Sequence, residues 1–334
     1  MKKLVLFIVW GLVFVGLQVR LFANDLVFIE DKEKFVVSNY PEEVIEPSII
    51  FNEIVQKDSG LRLVYYHKNK SLNDLYINIL VKNEDAATAS VKFIGSEGGP
   101  SKDGLFVGHQ VTKRFFSAIA GNSSNSFELL PGESRKVIWQ LMKPEQVVAG
   151  IVRLRSGDSS GLRVKMQIVD PKCPQLSALN KPKGKKVYYG CFDSAHKEID
   201  VKFDCKALLG EVPIGDKPFL EDERSGLVLR GNYGVIYKIN LELNNKFSGF
   251  RKVDMLFSPI AGMARLLMMV DGQLVESGLL GDNNTEPEKV MEFVLNPREK
   301  RHVQIITMPQ PGSFYPACIV LRSNVTEYAI LLEK

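Results

Sequence analysis

The residues and spacings from which catalytic and metal sites are commonly built are scarce in this sequence. Among 334 residues there are four cysteines, four histidines and two tryptophans. No CxxC, HxH or HExxH spacing occurs, which removes the common zinc arrangements. No dinucleotide G-x-G-x-x-G occurs. The histidines, His67, His109, His196 and His302, do not fit a blue-copper loop, because none follows Cys318 while His302 and Met308 precede it. No catalytic residue, no metal ligand and no cofactor is expected.

Long apolar runs are also lacking, except at the start. Lys2 and Lys3 precede an uncharged run from Leu4 to Leu17, and polar sequence begins after Ala23. That is the layout of an export signal, and the run falls short of the roughly 20 apolar residues of a spanning helix. Residues 1–23 are read as a cleaved signal peptide and the mature chain, with no transmembrane span, as secreted or periplasmic. Arg20, between the apolar run and the cut, keeps an N-terminal membrane anchor as the weaker alternative.

A concentrated basic face is missing too. Without Lys2, Lys3 and Arg20 the 43 basic residues become 40 against 39 acidic ones, a net charge of +1. Nucleic-acid binding needs a basic surface that neutralises phosphates, so no nucleic-acid partner is expected. The one basic cluster, KPKGKK at 181–186, contains Pro and Gly and reads as a linker. In an oxidising compartment one disulfide is expected among Cys173, Cys191 and Cys205, with connectivity left open, whereas Cys318 in the apolar ACIVLRS reads as a buried thiol.

What the chain does have is period-two alternation. Leu162, Val164, Met166 and Ile168 share one side of a predicted strand, as do Ile199, Val201, Phe203 and Cys205, and also Val137, Trp139 and Leu141. Asp271-Gly272 joins two further runs as a hairpin turn. Sustained helical periodicity is not found beyond the signal. The runs also repeat: LYINILVKN at 75–83 aligns with IYKINLELN at 236–244, an offset of 161, and Pro131 aligns with Pro297 at 166. The expected fold is all-β, two tandem antiparallel β-sandwich (Ig-like) domains, at 24–170 and 187–334, joined by a linker at 171–186.

The segment EGGPSKDGLFVGH at 97–109 has P-loop glycine spacing, but Leu105 and Phe106 stand where the lysine and hydroxyl belong. Because the second copy also has Pro and Gly at the equivalent place, the segment is expected to turn a sandwich corner between strands. Tyr233, Tyr237, Phe314 and Tyr315 lie near Gly and Pro turns. They form the candidate binding surface, although aromatic rings also fill sandwich cores.

In order along the chain come YHKN at 66–69, GGPSKD at 98–103 with Val107-Gly108, LLPGE at 129–133, AGIVRL at 149–154, GNYGVIY at 231–237 and MPQPGSFYP at 308–316. In these segments the chain resembles a group of uncharacterised exported bacterial proteins with tandem β-sandwich domains. The resemblance implies export and a sandwich fold, and carries over no site residue. The function expected is that of a non-enzymatic structural or protein-interaction protein of the bacterial cell envelope, with an envelope protein or cell-wall glycan as partner. A carbohydrate-binding module is the second reading and a fimbrial-type periplasmic chaperone the third.

Overall fold

The computed structural model describes residues 24–325 apart from 30–32, 40–42, 56–58, 122, 158–160, 174–188, 194–195, 223–224 and 282–285. The expected signal peptide and most of the expected linker lie outside these residues. In chain order the first half contains β1 (Asn24–Ile29), β2 (Glu33–Ser38), β3 (Glu43–Val44), β4 (Ser48–Val55), β5 (Gly60–Asn69), β6 (Leu75–Asn83) and β7 (Ala89–Ser101). It continues with α1 (Gly104–Ala120), β8 (Asn125–Leu129), β9 (Ser134–Met142), β10 (Val147–Ser156) and β11 (Leu162–Val169). The second half contains β12 (Gly190–Phe192), β13 (His196–Asp204), β14 (Leu209–Ile214), β15 (Leu220–Asp222), β16 (Leu227–Leu229), β17 (Ile236–Asn244) and β18 (Arg251–Pro259). It ends with β19 (Leu267–Val270), β20 (Gln273–Glu276), β21 (Glu288–Leu295), β22 (Lys300–Thr307) and β23 (Ala317–Val325).

These strands make an all-β protein of two sandwiches. In the first, a sheet ordered β12-β2-β5-β10-β7-β8 packs on β4-β11-β6-β9; in the second, β1-β13-β17-β22-β19-β20 packs on β14-β23-β18-β21. Alternation explains the packing, since Leu162, Val164, Met166 and Ile168 all point into the first core and Ile199, Val201, Phe203 and Cys205 into the second. Asp271 and Gly272, at φ 48° and 83°, form the β19–β20 hairpin turn. Pairing is antiparallel except for β2–β5, β3–β5 and β13–β17, which are parallel.

The duplication is visible as pairing. The order β5-β10-β7-β8 recurs as β14-β23-β18-β21, and β6-β9 recurs as β17-β22. It is also visible in side chains. Asn83 Nδ2 donates to the carbonyls of Ala87 and Leu129, and its backbone N–H to that of Glu133. Asn245 does the same with Gly249, Leu295 and Glu299. Asn245, not Asn244, is therefore the counterpart of Asn83, and the offset at β6 and β17 is 162 rather than the expected 161. One residue matters because it exchanges the two faces of a strand: Tyr76 lies on the outer face of β6, while Tyr237 is buried.

A second face was also assigned wrongly. Ile138, Gln140 and Met142 are the buried residues of β9; of Val137, Trp139 and Leu141, expected to share the buried side, Val137 packs partly against the first core, while Trp139 is exposed and Leu141 half-buried. The pairing of β9 with β6 skips Val137 between Ile138 and Lys136, and this bulge puts Val137 and Ile138 together against the core and breaks the period of two.

The two halves are not separate beads. β1 pairs with β13 of the second sandwich, while β12 pairs with β2 of the first, so the pairing crosses the expected 24–170 and 187–334 division twice. Phe28 faces Lys197, and Phe35 faces Phe192. The two pairings form one antiparallel ribbon that passes from one sandwich into the other. The β5–β10 sheet is consequently buried on both faces. Leu61, Leu63, Val148 and Val152 face the first core, whereas Val64, Ala149 and Ile151 join a core shared with α1 and the second sandwich. That is why the start of β5 is a continuous buried run.

Candidate functional site at the seam between the sandwiches

The glycine segment is where the structure departs most from expectation. Residues 97–101 complete β7, and the chain then enters α1, a 17-residue helix. Asp103 caps it by accepting a hydrogen bond from the Phe106 N–H at 2.9 Å. The segment is a strand-to-helix junction, not a corner between strands. Val107, Val111 and Phe115 form the stripe, spaced by four, that α1 buries in the shared core.

Two glycines let α1 press against the second sandwich. A Cβ on Gly108 would stand 1.5 Å from the Pro311 carbonyl oxygen, and one on Gly312 would stand 2.4 Å from that of Gly104. The close approach leaves polar groups to be matched across the seam. His109 Nδ1 lies 3.1 Å from Gln310 Oε1 and Nε2 lies 3.1 Å from Glu276 Oε2, while Lys113 Nζ donates to both Glu276 carboxylate oxygens at 2.8 and 3.0 Å. The Lys113 hydrogen bond, and then that of His109, hold the Glu276 carboxyl below the usual glutamate range. An open depression of about 480 Å³, lined in part by Phe106, Lys113, Arg265 and Glu276, lies beside these contacts.

On the other side of the same contact is a cleft of about 270 Å³. Val37, Asn39, Val64 and Tyr66, from the end of β2 and from β5, make one wall. Tyr233 and residues 311–314 make the other. None of these described lining residues carries a charge. Tyr233 stands edge-on to Tyr315, with ring centroids 5.9 Å apart at 85°, and burial raises its phenol pKa. Phe314 is 48% exposed at the rim, a large surface for a phenyl ring to leave in water. Ser313 beside it is only 4% exposed, and among the described residues its Oγ has no hydrogen-bond partner. Buried hydroxyls are generally satisfied, so this one stands out.

Of the four aromatic residues expected at a binding surface, the structure brings Tyr233 and Phe314 to the cleft. The other two belong to the core. Tyr237 is 1% exposed and its hydroxyl accepts from Gly215 N–H and Asn232 Nδ2, while Tyr315 is 8% exposed and donates to the Arg265 carbonyl. A flat row of four rings is therefore not formed. Trp139, exposed on the outer face of β9, is not an open platform either: its ring stacks on Tyr76 at 4.8 Å and 20°, with the Lys136 ammonium 3.8 Å from its centroid. Tyr66 and Ser313 were not foreseen as site residues.

The expected disulfide is not formed. Cys191 packs in the first core and Cys205 in the shared one, while Cys173 lies beyond β11 with its N–H on the Asp170 carbonyl. Cys318 is buried with Leu256 and Val320. His67 contacts Ser38 Oγ at 2.9 Å, His302 is exposed near Glu242, and no group of three potential metal ligands occurs among the described residues. Nor, among them, is any helix long and apolar enough to cross a membrane.

No protein-family model and no curated protein matches the chain. Among solved structures it is similar to the CUB1-EGF-CUB2 domain of human MASP-1/3, at 11% identity over 84% of this chain and 99% of that one, with a TM-score of 0.21. The CBM22-1-CBM22-2 tandem domain from Paenibacillus barcinonensis Xyn10C is 12% identical over 78% and 80%, with a TM-score of 0.17. Fet3p, a multicopper oxidase that functions in iron import, is 10% identical over 89% and 61%, with a TM-score of 0.18. Likenesses at this level carry no argument about what the chain binds or does.

Proposed function

We propose that this is an exported, non-enzymatic binding protein of the bacterial cell envelope, which takes its partner in the cleft between its two sandwiches. The carrying observation is the pairing of an exposed ring, Phe314, with a buried hydroxyl, Ser313 Oγ, that has no partner among the described residues, in a concave site built by both halves. Concave, mostly apolar sites with a few convergent polar groups are where ligands bind. The wall elements are rigid: β2 and β5 lie in a sheet buried on both faces, and residues 311–314 are held against α1. Export rests on the N-terminal layout and on the resemblance described above.

The test is retention of the purified protein on cell envelopes isolated from a bacterium that carries it natively. Phe314→Glu, which sets a charge at the rim, should abolish retention, and Trp139→Ala should leave it intact. Retention untouched by Phe314→Glu would remove the cleft from the function.

A further inference from the structure

We infer that the occupant of this cleft is a single neutral sugar ring, either a terminal residue of an envelope glycan or a free monosaccharide; this deepens the proposed function and rests on it. Three properties of the lining point the same way. The first is charge. With no charge among the described lining residues, an anion or cation would lose its hydration and gain no counter-charge from them, a cost that uncharged ligands avoid. The second is the mixture of surfaces. Tyr66, Tyr233 and Phe314 offer aromatic area for the C–H faces of a pyranose, while Ser313 Oγ, a donor and an acceptor, and the Asn39 amide offer hydrogen bonds to its hydroxyls.

The third property is size. At about 270 Å³ the cleft is at or below the lower end of ordinary ligand pockets, which begin near 300 Å³, so it suits one ring rather than a chain laid along a groove. Ser313 is the polar anchor: its hydroxyl, closed off from solvent and without a partner among the described residues, turns about χ1 to meet the sugar and gains a hydrogen bond without losing one to water. An extended peptide is the poorer fit. It would look for an open sheet edge, but β2 and β5 are both paired on either side in their sheet.

The experiment is saturation-transfer NMR and calorimetry on the purified chain with methyl α-D-glucopyranoside, methyl α-D-galactopyranoside and N-acetylglucosamine, with glucuronate as the charged control. At least one neutral ring should bind saturably, with Kd in the range of about 0.1–10 mM, and glucuronate should bind at least about tenfold more weakly. Phe314→Ala should weaken binding about tenfold or more. Ser313→Ala should weaken it about fivefold while leaving the unfolding midpoint unchanged, because among the described residues that hydroxyl has no hydrogen-bond partner.

Saturable binding with both mutational losses supports the assignment. If no neutral ring binds, or glucuronate binds equally well, while envelope retention still depends on Phe314, the sugar is wrong and the cleft stands. Should retention and sugar binding both ignore Phe314→Glu and Ser313→Ala, the site itself is wrong.

Discussion

His109 of α1 and Glu276 of β20 meet across the seam at 3.1 Å, so the first sandwich holds the second by a hydrogen bond between a helix and a hairpin. Lys113, one helical turn on, grips the same carboxylate. Because the carboxyl titrates lower in the folded protein than in the unfolded chain, its contribution is fully present above the ordinary glutamate pKa. It is lost as pH falls through the lowered value. Glu276→Gln should therefore flatten the acid limb of a stability-versus-pH curve measured by denaturant unfolding, with only a small loss at neutral pH. An unchanged acid limb would show that these contacts contribute nothing.

Gly108 should be intolerant of even one methyl group. Alanine there would drive its Cβ into the Pro311 backbone, which has no side-chain freedom to yield, and should cost about 3 kcal/mol in urea unfolding. Gly249→Ala, where nothing lies within 4 Å, is the control that should be silent.

Lys197 gives stability a second pH dependence, on the alkaline side. It is fully buried on β13 beside the Tyr237 ring, donates to the Pro218 carbonyl, and burial pushes its pKa down to about 8. Between that value and the unfolded one the unfolded chain holds more protons at this group, so the Lys197 contribution to stability rises with pH, by about 2 kcal/mol from pH 8 to 10. Beyond about pH 10 the sign reverses. Tyr65, Tyr237 and Tyr315, whose pKa values burial raises, then ionise in the unfolded chain first. The tyrosines offset part of this in the wild type, so the test is the difference between the wild-type and Lys197→Met profiles, which should change by about 2 kcal/mol from pH 8 to 10; a constant difference would contradict the assignment.

Heat should melt both sandwiches together. The shared core and the ribbon of β1–β2 against β12–β13 leave no plane at which one half separates without exposing apolar surface of the other. Calorimetry should give one transition, with van't Hoff and calorimetric enthalpies equal. Two resolved transitions would mean that the seam is weaker than its burial indicates.

Much of the fold was legible where a strand has one wet face. From Leu162 to Ile168 in β11 and from Glu198 to Asp204 in β13 the polar and apolar residues alternate without interruption, and Asp271-Gly272 announces its own turn. Legibility failed where a second layer or a bulge intervenes. The glycines and the mixed pattern of α1 hid a helix because Gly108 serves contact with Pro311, a partner two hundred residues away, rather than local conformation. The Tyr76 and Tyr237 match drew the repeat one residue out of register, since an identity of letters says nothing about which face a ring occupies. For the same reason Phe314 could be singled out from its turn, but Ser313 could not, because an unsatisfied hydroxyl is a property of surroundings that only the assembled halves supply.

The exchanged strands also govern when this molecule becomes whole. Ile29 finds its partner in His196, 167 positions later, so the first strand to leave the ribosome waits unpaired until more than half the polypeptide has followed it. Neither half can close its sheets before the other has emerged. Such long-range pairing slows folding and leaves bare strand margins open to wrong neighbours in the meantime, so the finished protein's rigidity is won through a vulnerable youth.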